Sequence, residues 1–137
     1  MTIGAIVGIA GSFGDWLSSG RVGRSSYDIL GLVDRLGFTP DGLIGSLVRA
    51  WPLMPLMLVG AVVAAWWRQR LIAIAFGVVG GLYAGALGAV VAVSVPDRRS
   101  ISVDSAPWVT ALGGGLVVLG SLALCFVRVP SADADSR

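Results

Sequence analysis

Histidine, lysine and glutamate are absent from this chain. Without imidazole there is no His-based catalytic triad and no His ligand for a metal. A single cysteine, Cys125, excludes an intrachain disulfide and leaves no Cys partner for a metal site. Charge is scarce at 13% of 137 residues; all ten cations are Arg, all eight acids are Asp, and the net charge is +2. That bias is what a GC-rich genome, such as an actinobacterium's, would produce. No basic block is longer than Arg68-Gln69-Arg70, so the clustered stripe that a nucleic acid needs is missing. A phosphate-cradling loop is missing too, because Gly113-Gly114-Gly115 lies in an apolar run without a strand or Lys. The loop Ser and Asp residues have no base of suitable pKa beside them. An enzyme is therefore excluded, and no cofactor, metal site or nucleic-acid partner is expected.

Hydrocarbon is what the chain has in quantity. Hydrophobic residues make up 55% and the mean hydropathy is +0.85, outside the soluble range. Four apolar stretches, 2–17, 53–67, 71–95 and 108–127, occupy most of the length. A bilayer core about 30 Å thick needs about 20 helical residues. The expected fold is all-α, a bundle of four transmembrane helices spanning roughly 2–17, 43–67, 71–95 and 107–127, with one short extracytoplasmic helix in the first loop. The first stretch lacks a basic n-region, and Gly11-Ser12-Phe13 is a poor cleavage site, so it reads as a retained span.

Orientation follows from the arginines. The tightest connection, Arg68-Gln69-Arg70, carries two cations and no acid, and Arg128 marks the end of the fourth stretch, whereas both longer loops mix signs. The positive-inside rule puts both termini in the cytoplasm of a multi-pass plasma (inner) membrane protein. Trp16, Trp51 and Trp108 then fall at the outer boundary, and Trp66 and Trp67 at the inner one, as an aromatic belt would. Ser25 or Ser26 caps a predicted helix over 27–36, stopped by Gly37. Thr39-Pro40-Asp41 reads as a second helix start running to Trp67, with Pro52 and Pro55 offering a bend. Residues 130–137 form a small polar tail, expected to be disordered.

Glycines carry the clearest pattern. Gly77, Gly81 and Gly85 repeat every fourth residue, as do Gly4 and Gly8. Such faces let helices approach closely, either within the bundle or against a separate membrane protein. Asp15 and Arg49 are the charges nearest to hydrocarbon, placed at the outer boundary, where they pair or snorkel. No acid lies deeper in a span, which argues against a proton or ion pathway.

The order of features resembles small four-span membrane proteins of actinobacteria. The residues that carry the likeness are Gly11-Ser12-Phe13-Gly14-Asp15-Trp16-Leu17, Arg24-Ser25-Ser26-Tyr27-Asp28-Ile29-Leu30, Asp34-Arg35-Leu36 and Arg49-Ala50-Trp51-Pro52-Leu53. Within that group the chain is similar to the accessory membrane subunit of the mycobacterial MCE lipid-transport complex of the cell envelope. The resemblance implies a non-catalytic accessory subunit that packs beside permease subunits of a lipid (fatty acid) transporter, among membrane lipids, and it assigns no site residue. The glycine faces would then dock the permease. An accessory subunit of a respiratory supercomplex, or a stand-alone or homo-oligomeric membrane protein, would share the same helical features.

Overall fold

In the computed structural model, which describes residues 1–19, 22–37, 42–94 and 102–126, helix makes up 81% of those residues. Helix α1 (Thr2–Phe13) leads through strands β1 (Asp15–Ser19) and β2 (Val22–Ser25) into α2 (Ser26–Arg35). Then come α3 (Leu43–Arg49), a 3₁₀ turn (Trp51–Leu53), α4 (Met54–Trp66), α5 (Arg70–Ser94), β3 (Ser102–Val103) and α6 (Ala106–Phe126).

Two described helices are long and apolar enough to cross a membrane. The 25 residues of α5 and 21 of α6 measure about 37 and 31 Å at about 1.5 Å per residue. Only 28% of the most apolar window of each is buried, whereas the core helix of a soluble protein would be mostly covered. The 12 residues of α1 and 13 of α4 are apolar but shorter.

Helix α6 lies between α1 and α5, antiparallel to both, and α4 packs on α5. Small residues make these seams. A Cβ at Gly4 would come within 2.8 Å of Leu116 and Val117, and one at Gly81 within 2.8 Å of the Gly114 carbonyl. Gly80 faces Met57 and Leu58 across the α4–α5 contact. Ala5, Ala61, Ala64, Ala73 and Ala84 are buried, while Ile3, Leu56, Leu71, Leu82, Leu119 and Phe126 point outward. Small side chains inside and large apolar ones outside suit a lipid surround, where close helix contact supplies the attraction.

The structure departs from the sequence expectations at one end of the bundle. The first helix ends at Phe13, short of the expected residue 17, because Gly14 is extended and donates back to the carbonyls of Ala10 and Gly11. Asp15–Ser19 then forms the middle strand of a sheet ordered β2-β1-β3, with all pairs antiparallel. The fold is thus not purely α. The sheet pairs backbone groups that an abrupt helix end would otherwise leave bare. Asp15 opposes Ser25 and Leu17 opposes Arg24, so Trp16 is the extra residue of a β-bulge.

The helix expected over 27–36 is α2. Ser25 is its N-cap, and Gly37 follows its C-cap with φ +70°. The long second helix is interrupted at Ala50, and Pro52 and Pro55 start the 3₁₀ turn and α4, where the missing N–H costs nothing. Arg68, at φ +60°, closes the α4–α5 turn. Its N–H donates to Ala65 and that of Gln69 to Ala64, a Schellman ending. The proposed helix start at Pro40, the outer end of span three, the inner end of span four and the 130–137 tail lie outside the described residues.

Candidate functional site

Trp16 and Trp51, expected at a membrane interface, are buried beneath the sheet and α2. The bulge turns Trp16 inward, where its Nε1 donates to the Gly11 carbonyl at 2.9 Å. Its ring meets Trp51 edge-on at 5.4 Å, and Trp51 meets Tyr83 at 5.6 Å. Ser26, one residue into α2, joins the parts. Its hydroxyl donates to the Ser12 carbonyl at 2.6 Å and accepts from Trp51 Nε1 at 2.9 Å. The Tyr83 hydroxyl donates to the Leu47 carbonyl, tying α5 to α3. Every buried side-chain polar atom among the described residues has a partner, which is what makes a buried polar layer tolerable.

Against this layer lies a chamber of about 220 Å³. Trp16, Trp51 and Ser26 form its buried floor. Leu17, Ile29, Leu30, Val48, Leu87 and Val91, all half-exposed, form its walls. Four elements, β1, α2, α3 and α5, and the 3₁₀ turn therefore contribute. Its lining is almost wholly carbon, because both hydrogen bonds of Ser26 point away into the layer. No residue lining the chamber pairs a nucleophile with a base.

The charges sit outside it. Arg49 does not meet Asp15. Its Nε lies 3.6 Å from Asp34 Oδ1, an exposed pair bridging α3 and α2. Asp15 lies across the sheet over Gly23, where a Cβ would collide with its carboxylate. Asp28 accepts from the Ser25 hydroxyl at 2.7 Å and from the Ser25 N–H at 3.1 Å, while its own N–H donates to Ser25 Oγ at 3.3 Å. These bonds, with Arg24 nearby, hold the Asp28 carboxyl below the ordinary range. Two further hollows are open: one beside Asp15 and Asp104, lined mostly by apolar atoms, and a more polar one beside Arg24, Asp28 and Arg35.

The glycines are used inside the chain. Gly4 and Gly8 face α6, and Gly77 faces Ser121. Gly81 faces Gly114 and Val118, and Gly85 makes ordinary contact with Ala111 and Gly115. Gly115 alone in its triplet has nothing within 4 Å of where its Cβ would be. Sequence reasoning missed Ser12, Ser26 and Tyr83. Ser12 ends an apolar run, Ser26 sits in a polar loop and Tyr83 lies mid-run, and none of these positions says which residues meet. No family model, curated protein or solved structure matches the chain.

Proposed function

We propose that this chain is a non-catalytic accessory subunit of a larger membrane complex. In this reading it lies in the plasma membrane as four apolar helices, the shorter α1 and α4 alongside α5 and α6, with both termini cytoplasmic. The observation that carries it is the distribution of side chains: glycine and alanine inside, large apolar residues outside on every long helix. Such a surface needs lipid or other membrane helices around it. The sequence resemblance directs the choice of host to an MCE-type lipid transporter, with its permease subunits as neighbours.

Since Gly4, Gly8, Gly77 and Gly81 are taken up by the chain's own seams, the partner surface is placed elsewhere. The outward face of α6 carries Trp108, Leu112, Gly115, Leu119 and Leu122 at alternating spacings of four and three, with a notch at Gly115 where a helix can come close. The test is a tagged chromosomal copy extracted in mild detergent, with its partners identified at native abundance. Permease, ATPase and tunnel subunits in fixed ratio support the transporter host. Oxidase or cytochrome subunits would move the chain to a respiratory complex, and a bare chain under conditions that preserve other complexes would end the accessory reading. Gly115→Leu should release the partners while the protein itself still inserts and folds.

A further inference from the structure

The chamber under α2 is built, not residual. Its floor is fixed by the Trp16, Ser26 and Trp51 hydrogen bonds, which leave no polar atom unpaired on the inside. An apolar cavity of roughly 150 Å³ stays dry and takes up apolar molecules; this one measures about 220 Å³ and its walls are carbon. Water gains little there, and an empty chamber forfeits dispersion contacts along its walls.

Its position says what can reach it. Leu87 and Val91 belong to the last two turns of the apolar run of α5. Beside them Val90 and Val93 are 55% and 74% exposed. The chamber wall therefore runs on into the outer apolar surface of α5. In a bilayer, the material in contact with that surface is hydrocarbon chain. We propose that the chamber binds the end of an acyl chain, entering between α5 and α2, from a phospholipid or a free fatty acid. It takes no head group, because no polar atom inside is left to receive one.

This inference rests on the membrane placement proposed above but on no particular host complex, and the two can fail separately. Wild-type protein in nanodiscs of brominated phospholipid tests the placement, through quenching of the exposed Trp66 and Trp67. The chamber is tested with full-length Trp66→Phe/Trp67→Phe/Trp108→Phe protein, which keeps only Trp16 and Trp51. One arm titrates stearic acid brominated near its methyl end into nanodiscs of unbrominated phosphatidylcholine. The other uses nanodiscs of phosphatidylcholine brominated at the same carbon. Saturable quenching by the acid assigns a free fatty acid, and quenching only in the second arm assigns a phospholipid chain. Adding Leu87→Phe and Val91→Phe to fill the chamber should weaken the acid's apparent affinity by at least about tenfold, or abolish the phospholipid quenching. Val91→Ala, which widens it, should leave the quenching intact. Absence of quenching in both arms, equal quenching in the filled variant, or equal loss in the filled and widened variants would each overturn the proposal.

Discussion

At Gly113 an added Cβ would collide with the backbone nitrogen and Cα of Gly8, atoms that cannot swing aside as a side chain can. The α1–α6 seam would have to part. Two residues along, at Gly115, the same methyl meets open space. Gly113→Ala should therefore cost about 3 kcal/mol, the upper end of the overpacking range. Gly115→Ala should be neutral or stabilise by up to about 1 kcal/mol through helix propensity. Unfolding in mixed micelles with increasing denaturing detergent reads both, and equal effects would mean the seam is not as close as described. The four-residue glycine period was legible in the sequence, and so was its use in close packing. Which glycines face inward was not, because Gly113, Gly114 and Gly115 are adjacent and only the neighbouring helices decide among them. For the same reason Gly81, where an added Cβ would come within 2.8 Å of a carbonyl, and Gly85, where it would make ordinary contact with α6, are unequal despite identical spacing.

Among the elements, α2 was the most legible, since its start and stop signals are local. Ser25 and Asp28 complete a capping box at its first turn. The Ser25 hydroxyl and then its N–H are the main reasons the Asp28 carboxyl is depressed. A depressed folded pKa means that the cap's contribution is fully present above the ordinary carboxylate range and is lost as pH falls through the lowered value. Protection of the α2 amides against hydrogen exchange, corrected for intrinsic rates, should accordingly drop on acidification. In Asp28→Asn protection should be lower at neutral pH and should lose that acid step. An unchanged acid step in the variant would assign it to another group. The sheet was illegible for the opposite reason. Leu17 pairs with both Arg24 and Val103, and Val103 is too distant in sequence to be read from Asp15-Trp16-Leu17. Likewise Trp16 and Trp51 read as boundary residues until Ser26 is seen to hold Trp51 inside.

For the molecule as a whole, the number of crossing helices turns on α4. Helices α5 and α6 have the length, but the 13 residues of α4 reach only about 20 Å. The 3₁₀ turn from Trp51 to Leu53 extends that, and the exposed Trp66 and Trp67 at the far end suit a boundary where a short span draws the bilayer thinner. If α4 crosses, Ser46 on α3 and Gln69 in the α4–α5 turn lie on opposite sides. Both are exposed, so each accepts a cysteine in a Cys125→Ala background. If Arg68 and Arg70 keep the turn inside, as the positive-inside rule expects, Ser46→Cys should react with a membrane-impermeant maleimide on intact cells. Gln69→Cys should react only after permeabilisation. The reverse pattern would keep α4 as a span and invert the orientation. Reaction of both from one side would remove α4 from the membrane-crossing set and leave α5 and α6 as a hairpin. The chamber's α5 wall, Leu87 and Val91, would then still lie on a crossing helix, so the labelling decides the number of spans and not the access of hydrocarbon to the chamber.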